Sequence, residues 1–330
     1  MRRIILIALA VIAAALVAVA LQVRNSDRVS DLQSHPLLDD PQLAELAVVE
    51  QIELAHAGQQ VVLQRDGEAW TVASRDHFPL QRERLAALLL ALREARVIEA
   101  KTSNADYHAR LGLTEGESSD SALRVSVKAG DGGFGVLFGN KVGSDQLVRF
   151  TGQDQVWLVN RALSMSANPQ DWLDLQVSQI PLEQVATAHW RYADGEELQL
   201  DKASEGDYNF KLADGEGAGH ERELNSMVLA LADLRAQNVA LRSAKQLGEP
   251  VLGMQLSSWS GATLAASLYD VDGAYWLTID QLGQSEESPL KVNSDARWAF
   301  QLGVAQHDRM VLRHADLKAA EQAAEQPAQN

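Results

Sequence analysis

The chain has 330 residues, 46% of them hydrophobic, and a formal net charge of −16 at pH 7. It contains no cysteine, which excludes disulfide bonds, thiolate metal sites and a lipid anchor on an N-terminal cysteine. A chain this acidic repels phosphate backbones, so we expect no nucleic-acid partner.

The N-terminus carries a long apolar run. Arg2 and Arg3 precede residues 4–21, in which every side chain is apolar. As a helix this run would be about 27 Å long, close to the roughly 30 Å hydrocarbon core of a bilayer. The pattern predicts a transmembrane signal anchor over residues 1–23. The arginines should stay in the cytoplasm, which places the body on the other side of the membrane.

A cleaved signal peptide is the alternative interpretation of this run. Ala18-Val19-Ala20 fits the small-x-small pattern of signal peptidase, with cleavage after Ala20. The apolar region of a signal peptide usually spans about 7–15 residues, and this run is longer. The length favours a retained anchor, and both alternatives deliver the body to the same compartment.

The first half of the body predicts a hairpin, a helix and further strands. Residues 24–47 read as a polar stalk and a short helix that begins at Asp40-Pro41. The turn Asp66-Gly67, between residues 61–65 and 69–72, is typical of a β-hairpin. A helix follows, with apolar residues near helical spacing at Leu85, Leu88, Leu89, Leu92 and Val97. Later strands are expected at residues 123–127, 134–138, 146–150 and 156–159, before a short helix that begins at Asn168-Pro169 and carries Trp172.

The second half repeats this order. Strands are expected around the turn Asp194-Gly195, at residues 188–192, 198–200 and 208–212. A helix follows, with apolar residues Leu224, Met227, Val228, Leu231, Leu234 and Val239. The remaining strands are expected at residues 251–256, 264–269 and 275–279. A closing segment begins at Asn293-Ser294 and carries Trp298, which is expected to lie in a short helix as Trp172 does.

Two local matches indicate that one module occurs twice. Residues 90–97 resemble residues 231–239, and residues 168–177 resemble residues 293–304 around a tryptophan. The alternative is that any two hairpin-plus-helix modules look alike. We predict an α+β fold, in which an N-terminal transmembrane helix precedes two tandem related modules, each an antiparallel sheet with one long packed helix. The predicted modules span residues 48–180 and 181–312, and residues 313–330 form a disordered tail.

Motifs that resemble catalytic or binding signatures have simpler interpretations. Gly130-x-Gly132-x-x-Gly135 matches the dinucleotide fingerprint, but its flanks look like strands, so we predict a hairpin turn at Asp131-Gly132-Gly133. His307 and His314 are seven residues apart, which is two helical turns, but the segment between them is only weakly helical. With Asp308 nearby they form at most a loose metal site. Ser288-x-x-Lys291 has the spacing of some serine enzymes but lies in an expected loop.

The acidic pairs and the tryptophans also lack a pattern that requires chemistry. Glu196-Glu197 and Glu286-Glu287 are expected to be solvated turn charges. The seven tryptophans are more typical of core anchors than of an aromatic groove for a glycan or peptide, and they are Trp70, Trp157, Trp172, Trp190, Trp259, Trp276 and Trp298. We therefore predict no catalytic, cofactor-binding or metal-binding residue and no cofactor.

Several short motifs together resemble a known family. They are residues 66–72, with the sequence Asp-Gly-Glu-Ala-Trp-Thr-Val, and then Leu111-Gly112-Leu113, Leu137-Phe138-Gly139 and Trp172-Leu173-Asp174. With the N-terminal anchor, they resemble the bacterial membrane-anchored family known as domain of unknown function 4340 (DUF4340), mainly over residues 48–178. Members of that family are often encoded beside ABC transporter components of the gliding-motility type. The resemblance implies an envelope protein that assists such a transporter, and it supplies no established catalytic residue.

The leading functional hypothesis is therefore a non-enzymatic accessory protein of the bacterial inner membrane, with a cytoplasmic N-terminus and a periplasmic body. Its expected partners are the membrane itself, through the N-terminal helix, and subunits of a gliding-motility-type ABC transporter complex. The alternative is a periplasmic ligand-binding module that holds a glycan or lipid fragment in a cleft between the two repeats. An envelope hydrolase is the least favoured, since it would need a site assembled from residues distant in sequence.

Overall fold

A computed structural model describes residues 34–317, apart from residues 117, 164, 216–218, 288 and 294. The predicted anchor over residues 1–23, most of the predicted stalk and the end of the predicted tail lie outside these residues. In the part of the chain that is described, no helix is both long enough and apolar enough to cross a membrane.

The described chain divides into two compact units. Unit 1 comprises residues 34–74 and Arg82–Asp171, and unit 2 comprises Arg75–Gln81 and residues 172–317. The main junction therefore follows Asp171, whereas the sequence pattern placed it after residue 180. Residues 75–81 belong to unit 2, although the chain on both sides of them belongs to unit 1.

Unit 1 contains one antiparallel sheet and two α-helices. Its helices are α1 (Asp40–Ala47) and α2 (Arg82–Glu94). Its strands are β1 (His35–Pro36), β2 (Gln51–His56), β3 (Gln59–Asp66), β4 (Ala69–Val72), β6 (Arg96–Ala100), β7 (Leu123–Ala129), β8 (Gly132–Val142), β9 (Asp145–Phe150) and β10 (Trp157–Val159). They are ordered β1-β6-β10-β9-β8-β7-β2-β3-β4 across the sheet, and every described pair is antiparallel. Helix α2 buries a stripe of Leu85, Leu88 and Leu92.

Unit 2 has a second antiparallel sheet. Its α-helices are α3 (Glu221–Ala232) and α4 (Val304–Met310). The strands of this sheet are β11 (Val185–Tyr192), β12 (Glu197–Asp201), β13 (Lys211–Leu212), β14 (Asn238–Leu241), β15 (Leu252–Ser258), β16 (Thr263–Val271), β17 (Ala274–Gly283) and β18 (Trp298–Gln301). The two-residue strand β5 (Phe78–Pro79) lies outside this sheet. The sheet order is β13-β12-β11-β15-β16-β17-β18-β14, again with antiparallel pairs.

The two sheets share one strand order. If each sheet is followed from the strand after its long helix, the order is β6-β10-β9-β8-β7-β2-β3-β4 in unit 1 and β14-β18-β17-β16-β15-β11-β12-β13 in unit 2. Each strand therefore has a counterpart at the same place in the chain order of its unit. The predicted mixed α/β class, with antiparallel sheets and few helices, is confirmed.

Some predicted element boundaries are wrong. The pattern places Val97 and Val239 on the long helices, but the helices end at Glu94 and Ala232, and these two residues lie in β6 and β14. Strand β2 was not predicted. Trp298 lies in strand β18 rather than in a short helix, so its counterpart by strand order is Trp157 and not Trp172.

The start of unit 1 lies within the predicted stalk. Leu37 and Leu38 are buried, and the Leu37 N–H donates to the Ala95 carbonyl over 2.8 Å. Helix α1 begins where the sequence predicts, and Asp39 caps it, since its carboxylate accepts from the Gln42 N–H over 2.9 Å. The part of the stalk from residue 34 onward is therefore packed.

The first residues of the predicted disordered tail are also packed. Arg313 Nη1 lies 2.6 Å from Asp194 Oδ2 and 2.7 Å from Glu196 Oε2, and the guanidinium lies 4.2 Å from the ring centre of Tyr192. Leu317 is buried. The last described residues therefore pack against the turn between β11 and β12.

These ion pairs shift the acid titration of the turn. The hydrogen bond from Arg313 lowers the pKa of Asp194. Burial alone would raise the pKa of Glu196, but hydrogen bonds from the His314 N–H and from Arg313 outweigh it, so the pKa is lowered. Lowered carboxylate pKa values stabilise the folded state above the unfolded values of about 4, and this contribution is lost as the pH falls through the folded values.

We expect Arg313→Ala to reduce the acid sensitivity of unit 2. Between pH 7 and pH 3 the melting temperature of the variant should fall less than that of the wild type, because the lowered pKa values depend on Arg313. Thermal melts followed by tryptophan fluorescence measure this difference. Arg161→Ala is the control, since Arg161 Nη1 lies 3.8 Å from Glu94 Oε2 in a more distant, exposed ion pair. An unchanged acid-induced fall in Arg313→Ala would contradict the assignment.

Candidate functional site

A long connection distinguishes unit 1 from unit 2. Residues 101–122 join β6 to β7, whereas the counterpart in unit 2 is residues 242–251. The connection in unit 1 inserts Leu113, which is fully buried, into a cluster with Leu137, Leu147 and Leu158. The connection therefore packs on one face of the sheet rather than extending into solvent, and it forms a wall of the cavity described below.

Glycines allow the connection to approach the sheet. A Cβ on Gly139 would lie 2.5 Å from the Leu111 carbonyl oxygen and 2.7 Å from Leu113 Cγ. Gly112 has φ +68°, and a Cβ there would lie 2.5 Å from Asn140 Oδ1. The Asn140 N–H donates to the Leu111 carbonyl over 3.0 Å. The motifs around Gly112 and Gly139 are therefore in mutual contact, and their role is close packing.

A buried arginine holds the other end of the connection. Arg149, on β9, is 7% exposed. Its Nε donates to the Leu113 carbonyl over 3.0 Å, its Nη1 to the Gln153 carbonyl over 3.1 Å, and its Nη2 lies 3.0 Å from Glu115 Oε1. A buried cation with a carboxylate and two carbonyl partners is satisfied, and removing it would leave the buried Leu113 carbonyl without this donor.

Beside this connection lies a cavity of about 740 Å³. This volume falls within the range of roughly 300–1,000 Å³ that is common for small-molecule sites. Its walls come from the connection, from β8, from the β2–β3 turn, from Leu163 and from residues 165–167. Its polar lining comprises His56, Gln59, Thr114, Ser119, Asp120, Ser121, Asn140, Lys141, Gln146 and Ser166. Apolar lining residues include Leu123, Phe138, Leu163 and Met165.

Several of these polar groups already have internal partners. Gln146 is 5% exposed; its Nε2 donates to the Gly139 carbonyl over 3.0 Å, and its Oε1 accepts from the Leu163 N–H over 2.9 Å. The Thr114 and Ser121 hydroxyls donate to carbonyls of Asp120 and Ser118. These groups shape the cavity wall and hold the connection. The arrangement suits binding of a polar molecule better than nucleophilic chemistry.

The Gly130-x-Gly132-x-x-Gly135 motif forms a hairpin, as predicted. Ala129 pairs with Gly132, so the turn is Gly130-Asp131, one residue earlier than expected. Gly130 has φ +54°. A Cβ on Gly133 would lie 2.2 Å from the Val127 carbonyl oxygen, which explains the glycine there. Both flanks are strands, so this motif does not place a phosphate at a helix N-terminus.

The two histidine candidates have different partners. His307 stacks on Tyr275 with ring centres 3.5 Å apart, and its Nδ1 lies 2.9 Å from Asp308 Oδ1. His314 Nδ1 lies 3.2 Å from Glu196 Oε1. Within the described ranges no group of three or more histidine, aspartate or glutamate residues is placed to hold a metal ion.

The remaining acidic and serine candidates have separate surroundings. Glu196 pairs with Arg313, whereas Glu197 pairs with Arg191 and His189, so this acidic pair is held by ion pairs rather than only solvated. Glu286 and Glu287 are exposed. Ser288 lies outside the described residues.

Most of the tryptophans are core residues. Trp172, Trp190, Trp276 and Trp298 are buried, and Trp70, Trp157 and Trp259 are half-buried. Trp190 is fully buried, and its Nε1 donates to the Met310 carbonyl over 2.9 Å. The cavity of about 740 Å³ is lined by none of them. These positions favour core packing over an aromatic groove.

Sequence patterns missed a buried lysine in unit 2. Lys202 is 7% exposed; its Nζ donates to the Leu182 carbonyl over 2.5 Å and lies 4.4 Å from the ring centre of Phe210. Burial lowers the pKa of Lys202, against the opposing effect of Glu183 and Asp207. A single lysine at the end of a strand carries no sequence signal for this position.

Comparison with known proteins identifies one family. The model of a family described as "Domain of unknown function (DUF4340)" matches residues 70–250, which is more than half of the chain. The match begins in β4 of unit 1 and ends just before β15 of unit 2, and it confirms the resemblance seen in the sequence motifs. No curated protein and no solved structure matches the chain significantly.

We expect Gly139→Ala to destabilise unit 1. The added methyl group would overlap a carbonyl oxygen and Leu113, and such overpacking typically costs about 1–3 kcal/mol. Gly253→Ala is the matched control, because Gly253 also lies in a strand and its new Cβ would meet only the Arg191 carbonyl oxygen at 3.8 Å. Urea unfolding measures both free energies. Equal stability of the two variants would show that the contact between the glycine motifs is not tight.

Proposed function

The chain belongs to the DUF4340 family, and on this premise we propose that it is a non-enzymatic, membrane-anchored accessory protein of the bacterial inner membrane. In this proposal the N-terminus is cytoplasmic and the two units are periplasmic. The protein serves as an auxiliary subunit of a gliding-motility-type ABC transporter complex, and the transporter subunits are its partners.

The observation that carries the proposal is the spacing between the apolar run and the folded body. The run ends at Leu21, and Leu37 is already buried in unit 1. Even fully extended, residues 22–36 would span no more than about 54 Å. A body tethered this closely has an effective concentration near a membrane partner in the millimolar range, so a modest interface suffices.

The organisation of the body supports a binding role. The shared strand order leads us to infer that the units are copies of one module, which the local sequence matches also favour. The copies differ most in the connection of residues 101–122. The motifs in and around it, including Gly112 and Gly139, serve close packing, and Thr114, Ser121 and Gln146 hold the wall of the cavity. These residues build a surface rather than catalytic machinery.

Affinity purification from gently solubilised membranes tests this role. We expect transporter subunits to be enriched with the full chain. A variant in which residues 4–21 are replaced by an unrelated apolar helix of the same length should retain them if the body provides the interface. A variant that lacks residues 2–23 should lose most of them, because the tether is gone. Recovery of the full chain without any transporter subunit would contradict the proposal.

The cavity in unit 1 favours a second candidate, a periplasmic ligand-binding module for a glycan or lipid fragment. Its volume of about 740 Å³ and its mixture of hydroxyl, amide and apolar lining fit a polar organic molecule. This site differs from the sequence-based hypothesis, because it lies within one unit.

Ala109→Trp tests the second candidate. Ala109 is exposed and lines the cavity, so a tryptophan there should fill it. If the cavity binds neutral oligosaccharides or glycerophosphate-containing lipid fragments, calorimetry should show binding to the wild type, and Ala109→Trp should weaken it at least about tenfold, the factor for 1.4 kcal/mol. Ala105→Trp is the control, since Ala105 is an exposed residue of the same connection outside the cavity. Absence of binding to the wild type by both ligand classes would leave the accessory role as the better account.

A further inference from the structure

We infer that residues 75–81 act as a strap that completes the core of unit 2 and makes the two units unfold together. The strap is the only part of the described first half that belongs to unit 2. Its ends continue directly into β4 and α2, which belong to unit 1. The inference concerns the stability of the body and does not depend on its partner.

The apolar centre of the strap is Phe78. Its side chain is fully buried, and its ring meets two aromatic rings of β18 edge-on. The ring centres of Phe78 and Trp298 are 4.9 Å apart with an interplanar angle of 83°, and those of Phe78 and Phe300 are 6.2 Å apart. Edge-to-face packing of this kind is favourable beyond the area that it buries. Unit 2 therefore has a core position that only the strap fills.

Polar contacts hold the strap on both sides of Phe78. Arg75 Nη2 donates to Asn238 Oδ1 over 2.6 Å and to the Val239 carbonyl over 3.0 Å. Both acceptors belong to β14. On the other side the Asp174 N–H donates to the Pro79 carbonyl over 3.0 Å, and the Gln81 N–H donates to the Trp172 carbonyl over 2.8 Å. The strap is therefore fixed to unit 2 at its beginning and at its end.

The backbone of the strap is held in an unfavourable conformation. Asp76 and His77 have φ values of +56° and +58°, a region that residues with a side chain rarely adopt. Both side chains are exposed. Arg75 and Phe78, which make the contacts described above, flank them in the chain. Release of the strap would relax this turn.

Unit 1 has an equivalent edge-on contact between two rings, but both rings come from unit 1 itself. Trp157 occupies the same position in the sheet order as Trp298, and His35 packs edge-on against it with ring centres 5.8 Å apart and an angle of 87°. His35 lies in β1, at the start of unit 1 itself. In unit 2 the ring that packs edge-on against Trp298 is Phe78, and in the sequence Phe78 lies between β4 and α2 of unit 1. Unfolding of unit 1 would therefore free both ends of the strap and loosen the core of unit 2.

Pulsed hydrogen exchange of the full chain along a urea series tests the inference. Peptides from β7–β9 report on unit 1, and peptides from β15–β17 report on unit 2. In the wild type both sets should lose protection at the same urea concentration. In Phe78→Ala unit 2 should lose protection at a lower urea concentration than unit 1. At a fixed low urea concentration the protection factors of the unit 2 peptides should fall at least about a hundredfold, as truncation of a buried phenylalanine predicts. Separate transitions in the wild type, or coincident ones in Phe78→Ala, would overturn the inference.

Two further variants separate the strap from general core damage. Phe210 is also fully buried in unit 2 but lies outside the strap, so Phe210→Ala should lower both transitions while keeping them coincident. If Phe210→Ala separates the transitions as Phe78→Ala does, the effect reflects lost core volume and the strap has no special role. Asp76→Gly should relieve the backbone strain and shift both transitions together to higher urea. A shift confined to one unit would count against coupling.

Discussion

Each unit depends on covering the two faces of a sheet with little helix. One long helix per unit contributes a single buried stripe, formed by Leu85, Leu88 and Leu92 in unit 1. The counterpart in unit 2 includes Leu224, Met227 and Leu231. The remaining cover must come from connections and chain ends. Segments that look like linkers in the sequence are therefore packed parts of the core.

The two units use different connections to cover the part of the sheet that the long helix leaves open. In unit 1 the connection of residues 101–122 packs Leu113 against Leu137, Leu147 and Leu158, and a polar cavity forms beside it. In unit 2 the shorter connection contributes Leu247 to a cluster with Tyr269 and Trp276, and Lys245 Nζ lies 4.2 Å from the Trp276 ring centre. The long connection explains why unit 1 carries the cavity. In the proposed accessory role, this is the feature on which the units have diverged.

Local signals in the sequence predicted the hairpins and the long helices well. Gly67, Gly130 and Gly195 lie in tight turns between strands with positive φ, and glycine is the residue that turns of this kind favour. Predictions failed for residues that are buried by partners far away in the sequence. Trp298 lies in a four-residue strand whose first three residues are all buried, so the alternation that marks a strand is absent. Phe78 was assigned to the first module because nothing in residues 75–81 shows that its partners lie more than two hundred residues away.

The candidate site shows the same limit. The motifs around Gly112 and Gly139 are visible in the sequence, but their mutual contact depends on how residues 101–122 pack on the sheet. Arg149, Gln146 and Lys202 have no sequence pattern that distinguishes them from surface residues. Each of them donates to a backbone carbonyl of another segment of the chain, a contact that local sequence patterns do not show. Function in such a protein is predicted best from the apolar run and the family, and least well from single polar residues.

The most direct test of the account is the location of the body. A chain with alkaline phosphatase fused after residue 330 should show phosphatase activity, because that enzyme is active in the periplasm. A chain with green fluorescent protein fused at the same position should not fluoresce, because this reporter does not become fluorescent when the general secretory route exports it. Both fusions should remain in the membrane fraction after carbonate extraction. A fluorescent fusion with an inactive phosphatase counterpart would place the two units in the cytoplasm and contradict the proposed accessory role.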